Sequence, residues 1–132
     1  MKYFSFTEFE RSATAERHAI DNTAPETARR NIARLVDKVL DPLRQAWGRP
    51  ISVTSGYRCP ELNKAVGGSA ASHHLRGMAA DITTGNTLDN RRLFQLVLDL
   101  RLPFTQLIDE HGFSWLHISL DPADPRRQTL KL

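Results

Sequence analysis

Cysteine is almost missing from this chain. Cys59 stands alone among 132 residues, so no internal disulfide can form and stability must come from a packed core. Long apolar runs are missing too. None approaches the roughly 20 residues that a membrane-spanning helix needs, and no membrane insertion is expected. The N-terminus, Met1-Lys2-Tyr3-Phe4-Ser5-Phe6-Thr7-Glu8, has no apolar secretory segment and turns acidic early. The expectation is a chain made in the cytoplasm without a signal peptide. Charge of one sign is also scarce: 18 Lys and Arg against 15 Asp and Glu leave a net +3, weak support for an anionic polymer as partner. There is no internal repeat and no low-complexity tract. With 40% hydrophobic and 25% charged residues, residues 1–132 read as one globular domain.

Helical signals come first along the chain. Between Phe4 and Ile20, Thr7 followed by Glu10 has the spacing of a capping box, with Phe4, Phe6 and Phe9 as anchors. Thr23, Pro25 and Glu26 open a second helix. Its apolar stripe is Ala28, Ile32, Leu35, Val36, Val39, Leu40, Leu43 and Trp47, interrupted by Pro42. The mixed charges of Arg29, Arg30, Arg34, Asp37, Lys38 and Arg44 read as a solvated outer face rather than a nucleic-acid surface. A later helix opens at Thr87 and carries Leu93, Leu96, Val97 and Leu100.

Strand signals follow. Ile51–Thr54 alternates, and Ser55-Gly56-Tyr57-Arg58-Cys59-Pro60 turns at its end, placing Arg58 on a loop where functional groups are often presented. Residues 79–84 form a second strand. Residues 105–110 and 114–120 form a hairpin around His111-Gly112-Phe113, and 128–132 a final edge strand. The expected fold is α+β: a small, mainly antiparallel sheet with helices packed on one face.

Chemistry concentrates in Ser72-His73-His74-Leu75-Arg76-Gly77-Met78-Ala79-Ala80-Asp81. Imidazole and carboxylate are both good zinc ligands. A spacing of seven broken by Gly77 suggests a loop ligand, a turn and then a strand ligand. A third donor is offered by His117 in Trp115-Leu116-His117-Ile118-Ser119. Side-chain alternation sends Leu116, Ile118 and Leu120 to one face, and Trp115, His117 and Ser119 to the other. It likewise separates Ala80 and Ile82 from Ala79, Asp81 and Thr83. Asp81 and His117 can therefore share the open face of one sheet.

Ser-Gly-Tyr-Arg at 55–58, His-x-x-Gly-x-Ala-x-Asp at 74–81 and Trp-x-His at 115–117, in this order, resemble the zinc D-Ala-D-Ala carboxypeptidases and the phage L-alanyl-D-glutamate endopeptidases. The resemblance runs from Phe4 through Ser119. It implies one zinc per chain on the open face, held by His74, Asp81 and His117, with a fourth position left for water. It implies that Arg58 binds substrate or steadies charge on the attacked carbonyl. Ser72 and Trp115 are further candidate substrate contacts, with Trp115 either flooring the cleft or packing beside it. The substrate would be a peptide stem of peptidoglycan, reached after release from the cell, and either carboxypeptidase or endopeptidase action fits.

The family also needs a general base. Ser114, three residues before His117, stands where several relatives carry a carboxylate. Glu110 matches the glutamate of the short members, with His111 in reserve. His73 is a neighbour or substrate contact, His18 has no assigned function, and Cys59 reads as a small buried hydrophobe. Two other function classes remain in view: a zinc-binding domain of the same fold that no longer catalyses, and a basic nucleic-acid binder using Arg29, Arg30 and Arg34.

Overall fold

The computed structural model describes all 132 residues. Two short helices, α1 (Phe6–Glu10) and α2 (Ala13–Arg17), open the chain. The capping box of α1 lies two residues earlier than the sequence pattern suggests. Glu8, not Glu10, reaches back to the Ser5 N–H at 2.7 Å. Glu10 has a tertiary role instead. Its Oε2 accepts from the Ala24 N–H at 2.6 Å and from Arg29 at 3.2 Å, tying α1 to the start of the next helix.

That helix, α3 (Glu26–Leu35), passes through one π-helical turn (Val36–Leu40) into α4 (Asp41–Trp47). Thr23 does not cap it: its hydroxyl bonds Asp21, and Pro25 occupies the cap position. The π turn explains how Pro42 is accommodated. The Asp41 N–H donates to Val36 O, five residues back, so the register has already widened before the residue that has no N–H to give. Seven of the eight stripe residues are buried, Ala28 through Leu43, whereas Trp47 is partly covered.

The remaining elements are β1 (Ser52–Ser55), α5 (Pro60–Ala65), a 3-10 turn (His73–Arg76), β2 (Ala79–Thr83), α6 (Thr87–Asp99), β3 (Gln106–Glu110), β4 (Trp115–Ser119) and β5 (Gln128–Lys131). Asn86 rather than Thr87 caps α6, accepting from the Asp89 N–H at 2.8 Å. The buried stripe of α6 is Asn90, Leu93 and Val97, with Leu100 exposed. Asn90 earns its buried place through hydrogen bonds: its carbonyl accepts from the Thr84 N–H at 2.7 Å, and its amide donates to Phe113 O at 2.8 Å.

The five strands lie in the order β1-β2-β4-β3-β5. All pairs are antiparallel except β3 with β5. The fold is α+β. Ala80, Ile82, Leu107, Leu116, Ile118 and Leu120 join the apolar residues of α3, α4 and α6 in one core. The opposite face carries Asp81, His117 and Glu110. No helix is long and apolar enough to cross a membrane.

Candidate metal centre

The centre is assembled from three separately placed segments. Asp81 and His117 face each other directly across the β2–β4 pair, as alternation requires. His117 Nδ1 lies 3.1 Å from Asp81 Oδ1. His74 arrives from the 3-10 turn, whose entry is set by the Ser72 hydroxyl accepting from the His74 N–H at 3.2 Å. Gly77, at φ +72°, closes the turn and sends the chain into β2. His74 Nε2 then stands 3.4 Å from the same Asp81 oxygen. One donor atom from each residue falls within 4.8 Å of the others.

The orientation of His74 carries chemical information. Its Nδ1 lies 2.6 Å from the Gly56 carbonyl, deep in the protein. A carbonyl can only accept, so Nδ1 holds the proton and neutral His74 turns the lone pair of Nε2 toward the Asp81 carboxylate. Two acceptors then face each other, and a cation between them satisfies both. A backbone carbonyl fixing the tautomer of a ligating imidazole is the usual outer-sphere arrangement at metal sites. Two imidazole nitrogens and one carboxylate oxygen form a donor set suited to zinc, and they leave a further coordination position to water or substrate. Burial pushes the Asp81 carboxyl up, but where protons rather than a metal ion bridge it to His117 and His74, their hydrogen bonds and charge outweigh burial and hold the group well below the ordinary carboxylate range.

Arg58 and Glu110 share a cavity of about 250 Å³ with these three residues. Arg58 sits on the loop after β1, which is anchored by the Tyr57 N–H donating to Phe9 O at 2.7 Å and the Arg58 N–H donating to His74 O at 3.1 Å. Burial pulls the guanidinium below its ordinary value, while the charges of Asp81 and Glu110 act in the opposite direction. Glu110 ends β3 opposite Trp115, on the same face as Ile108, which pairs with His117. Asp109 turns to the other face, is buried, and accepts from the Phe113 N–H at 2.5 Å to hold the hairpin turn.

The other sequence candidates take different places. His73 and Ser72 line the same cavity. Burial pushes the His73 imidazole down, partly opposed by Asp121. His111 is exposed, with its ring centroid 5.0 Å from that of Trp115. Neither His111 nor Trp115 is among the residues lining the cavity. The Ser114 hydroxyl donates to His111 O at 2.6 Å within the turn. His18 is exposed at the end of α2. Cys59 is half-buried, and its sulfur caps α5 by accepting from the Leu62 N–H. Arg29 and Arg30 pair with Glu10 and Glu26, and Arg44 lies over the Tyr3 ring. Gln106 and Ser69 are cavity residues that no motif announced, and the Gly56 carbonyl has no residue-type signature at all.

Comparison with known proteins gives two findings. A family model described as Peptidase M15 matches residues 2–119. A zinc D-Ala-D-Ala carboxypeptidase of Streptomyces albus G is 41% identical over 61 residues, a stretch covering 46% of this chain and 24% of that protein. The match therefore spans about a quarter of the relative's length.

Proposed function

The chain belongs to the peptidase M15 family, and on that premise we propose that it is a zinc peptidase acting on the peptide stems of peptidoglycan, as a D-Ala-D-Ala carboxypeptidase or an L-Ala-D-Glu endopeptidase. The observation that carries this reading is the meeting of His74, Asp81, His117, Arg58 and Glu110 in one cavity. The name of the Streptomyces relative supports the choice of metal and of substrate class.

His74, Asp81 and His117 would hold the ion. Zinc bound there would supply a Lewis acid that polarises a carbonyl and brings the pKa of water down to roughly 7. The protein's own groups do the rest. Gly56 O keeps the proton on Nδ1 of His74, so Nε2 stays available as a ligand. Glu110, a carboxylate on the open face beside His117, takes the proton of the attacking water and returns it to the leaving amine. Arg58, half-buried and without an ion-pair partner, offers its fork of donors to the carbonyl oxygen or to a substrate carboxylate. Ser72 acts through His74, by fixing the turn that presents it.

A purified muropeptide incubated with the zinc-loaded protein and weighed by mass spectrometry tests the reading. Loss of one alanine residue identifies carboxypeptidase action. Release of the stem from its first alanine identifies endopeptidase action. An unchanged muropeptide mass, with zinc bound, would leave only a binding domain.

A further inference from the structure

Arg58 and Asp81 border two cavities, one of them the metal centre. The second, of about 360 Å³, is walled by Arg11, Ser12 and Thr14 where α1 gives way to α2, and by Thr54 and Ser55 at the end of β1. Its chemistry is lopsided. Arg11 forms no ion pair and its side chain makes no hydrogen bond, and Arg58 has no ion-pair partner either. Nearby Glu8 is occupied by Ser5. The hydroxyls of Ser12 and Thr14 accept bonds from Ala15 and Arg17, which leaves their protons free to donate. The sole carboxylate in the wall, Asp81, is turned to the two histidines. Two guanidinium groups and several hydroxyl donors therefore surround a space with no unengaged acidic group.

Because this space adjoins the metal centre through Arg58 and Asp81, a peptide lying across His74, Asp81 and His117 must extend past it or away from it. We propose that the second cavity is a substrate subsite that binds a carboxylate of the peptide next to the scissile bond, and that Arg11 is the residue that selects for it. Guanidinium is the side chain best matched to a carboxylate, through paired charge-assisted hydrogen bonds. The proposal rests on the peptidase reading above. Two carboxylates of a stem peptide have this chemistry, the C-terminal one and the α-carboxylate of the internal D-glutamate.

The test uses the zinc-loaded full chain and three muropeptides: both carboxylates free, the C-terminal one amidated, and the D-glutamate one amidated. Wild type should discriminate against one amidated form, which names the carboxylate. Arg11→Gln should lose about tenfold or more in kcat/KM on the free form, on the scale of one charge-assisted hydrogen bond. It should also bring the free-to-amidated ratio toward one, with Arg11→Lys recovering part of the ratio. Loss of structure alone would lower both substrates together and leave the ratio standing. A wild-type ratio retained in Arg11→Gln overturns the subsite. Equilibrium binding of the same peptides to Glu110→Gln and to Glu110→Gln with Arg11→Gln separates the two readings. Arg11-dependent binding of the free form, with no hydrolysis by wild type, would keep the subsite and remove the peptidase. Hydrolysis without Arg11 dependence would do the reverse, and neither would remove both.

Discussion

Replacing Gly77 with alanine tests whether the turn that presents His74 is held by close backbone packing. Gly77 sits at φ +72°, where a residue with a Cβ pays about 1–2 kcal/mol. A Cβ there would also stand 2.5 Å from Ala28 O and 3.1 Å from the Ala28 carbonyl carbon, both backbone atoms of α3. Backbone cannot swing aside as a flexible side chain can, so the turn or the helix must shift. Overpacking of this kind costs about 1–3 kcal/mol. The expected total is about 2–5 kcal/mol. Gly48 provides the control, since it has a similar φ of +76° with nothing within 4 Å of a built Cβ, and its alanine variant should lose only the first, conformational part. Urea unfolding of both variants, each metal-free, reads the difference directly. Gly77→Ala should be less stable than Gly48→Ala by about 1–3 kcal/mol. Equal losses would show that the approach to Ala28 relaxes at no cost and that α3 does not buttress the His74 turn.

The metal centre predicts that the purified protein carries zinc and that His74→Ala, Asp81→Ala and His117→Ala each bind it far more weakly; full occupancy in His74→Ala, by elemental analysis, would mean the wrong histidine was chosen. Arg58→Ala should keep fold and zinc but lose much of the turnover on muropeptides, with Arg58→Lys only partly restored; unchanged turnover would remove it from the site. Gly68→Ala should mimic part of that loss, because a Cβ at Gly68 would lie 2.8 Å from Arg58 Nη1 and 2.1 Å from Asn63 Oδ1; wild-type rates would show that the guanidinium is not held by this packing. Glu110→Gln should retain zinc and lose about a hundredfold or more in kcat, whereas Asp109→Asn should weaken the hairpin more than the chemistry. If His111→Ala is inactive and Glu110→Gln is not, the base is the histidine.

The sheet was the most readable part of this sequence. A period of two has only two outcomes, so Leu116, Ile118 and Leu120 toward the core put His117 on the open face with Asp81, and the strands pair these two directly. Helix starts were less readable. Ser5-x-x-Glu8 and Thr7-x-x-Glu10 both have capping-box spacing, and the choice was made by tertiary demand: the Ala24 N–H and Arg29 engage Glu10. The same holds at Asn90, a polar residue in an apolar stripe whose partners come from two other segments. The Gly56 carbonyl that orients His74, and the meeting of Arg11 with Arg58 around one cavity, depend on contacts between distant segments. Neither leaves a local pattern of residue types to read.

The pairing of Asp81 with His117 also bears on when an ion can enter. The two residues are 36 positions apart, and nothing local brings them together; they meet only when β2 and β4 have joined. A nascent chain that ends before β4 has His74 and Asp81 and lacks the third donor. An ion that needs all three is therefore captured late, after the slow, non-local strand pairing has been completed. Metal would then lock the β2–β4 pairing once formed rather than nucleate it, and its uptake would report on that step of folding.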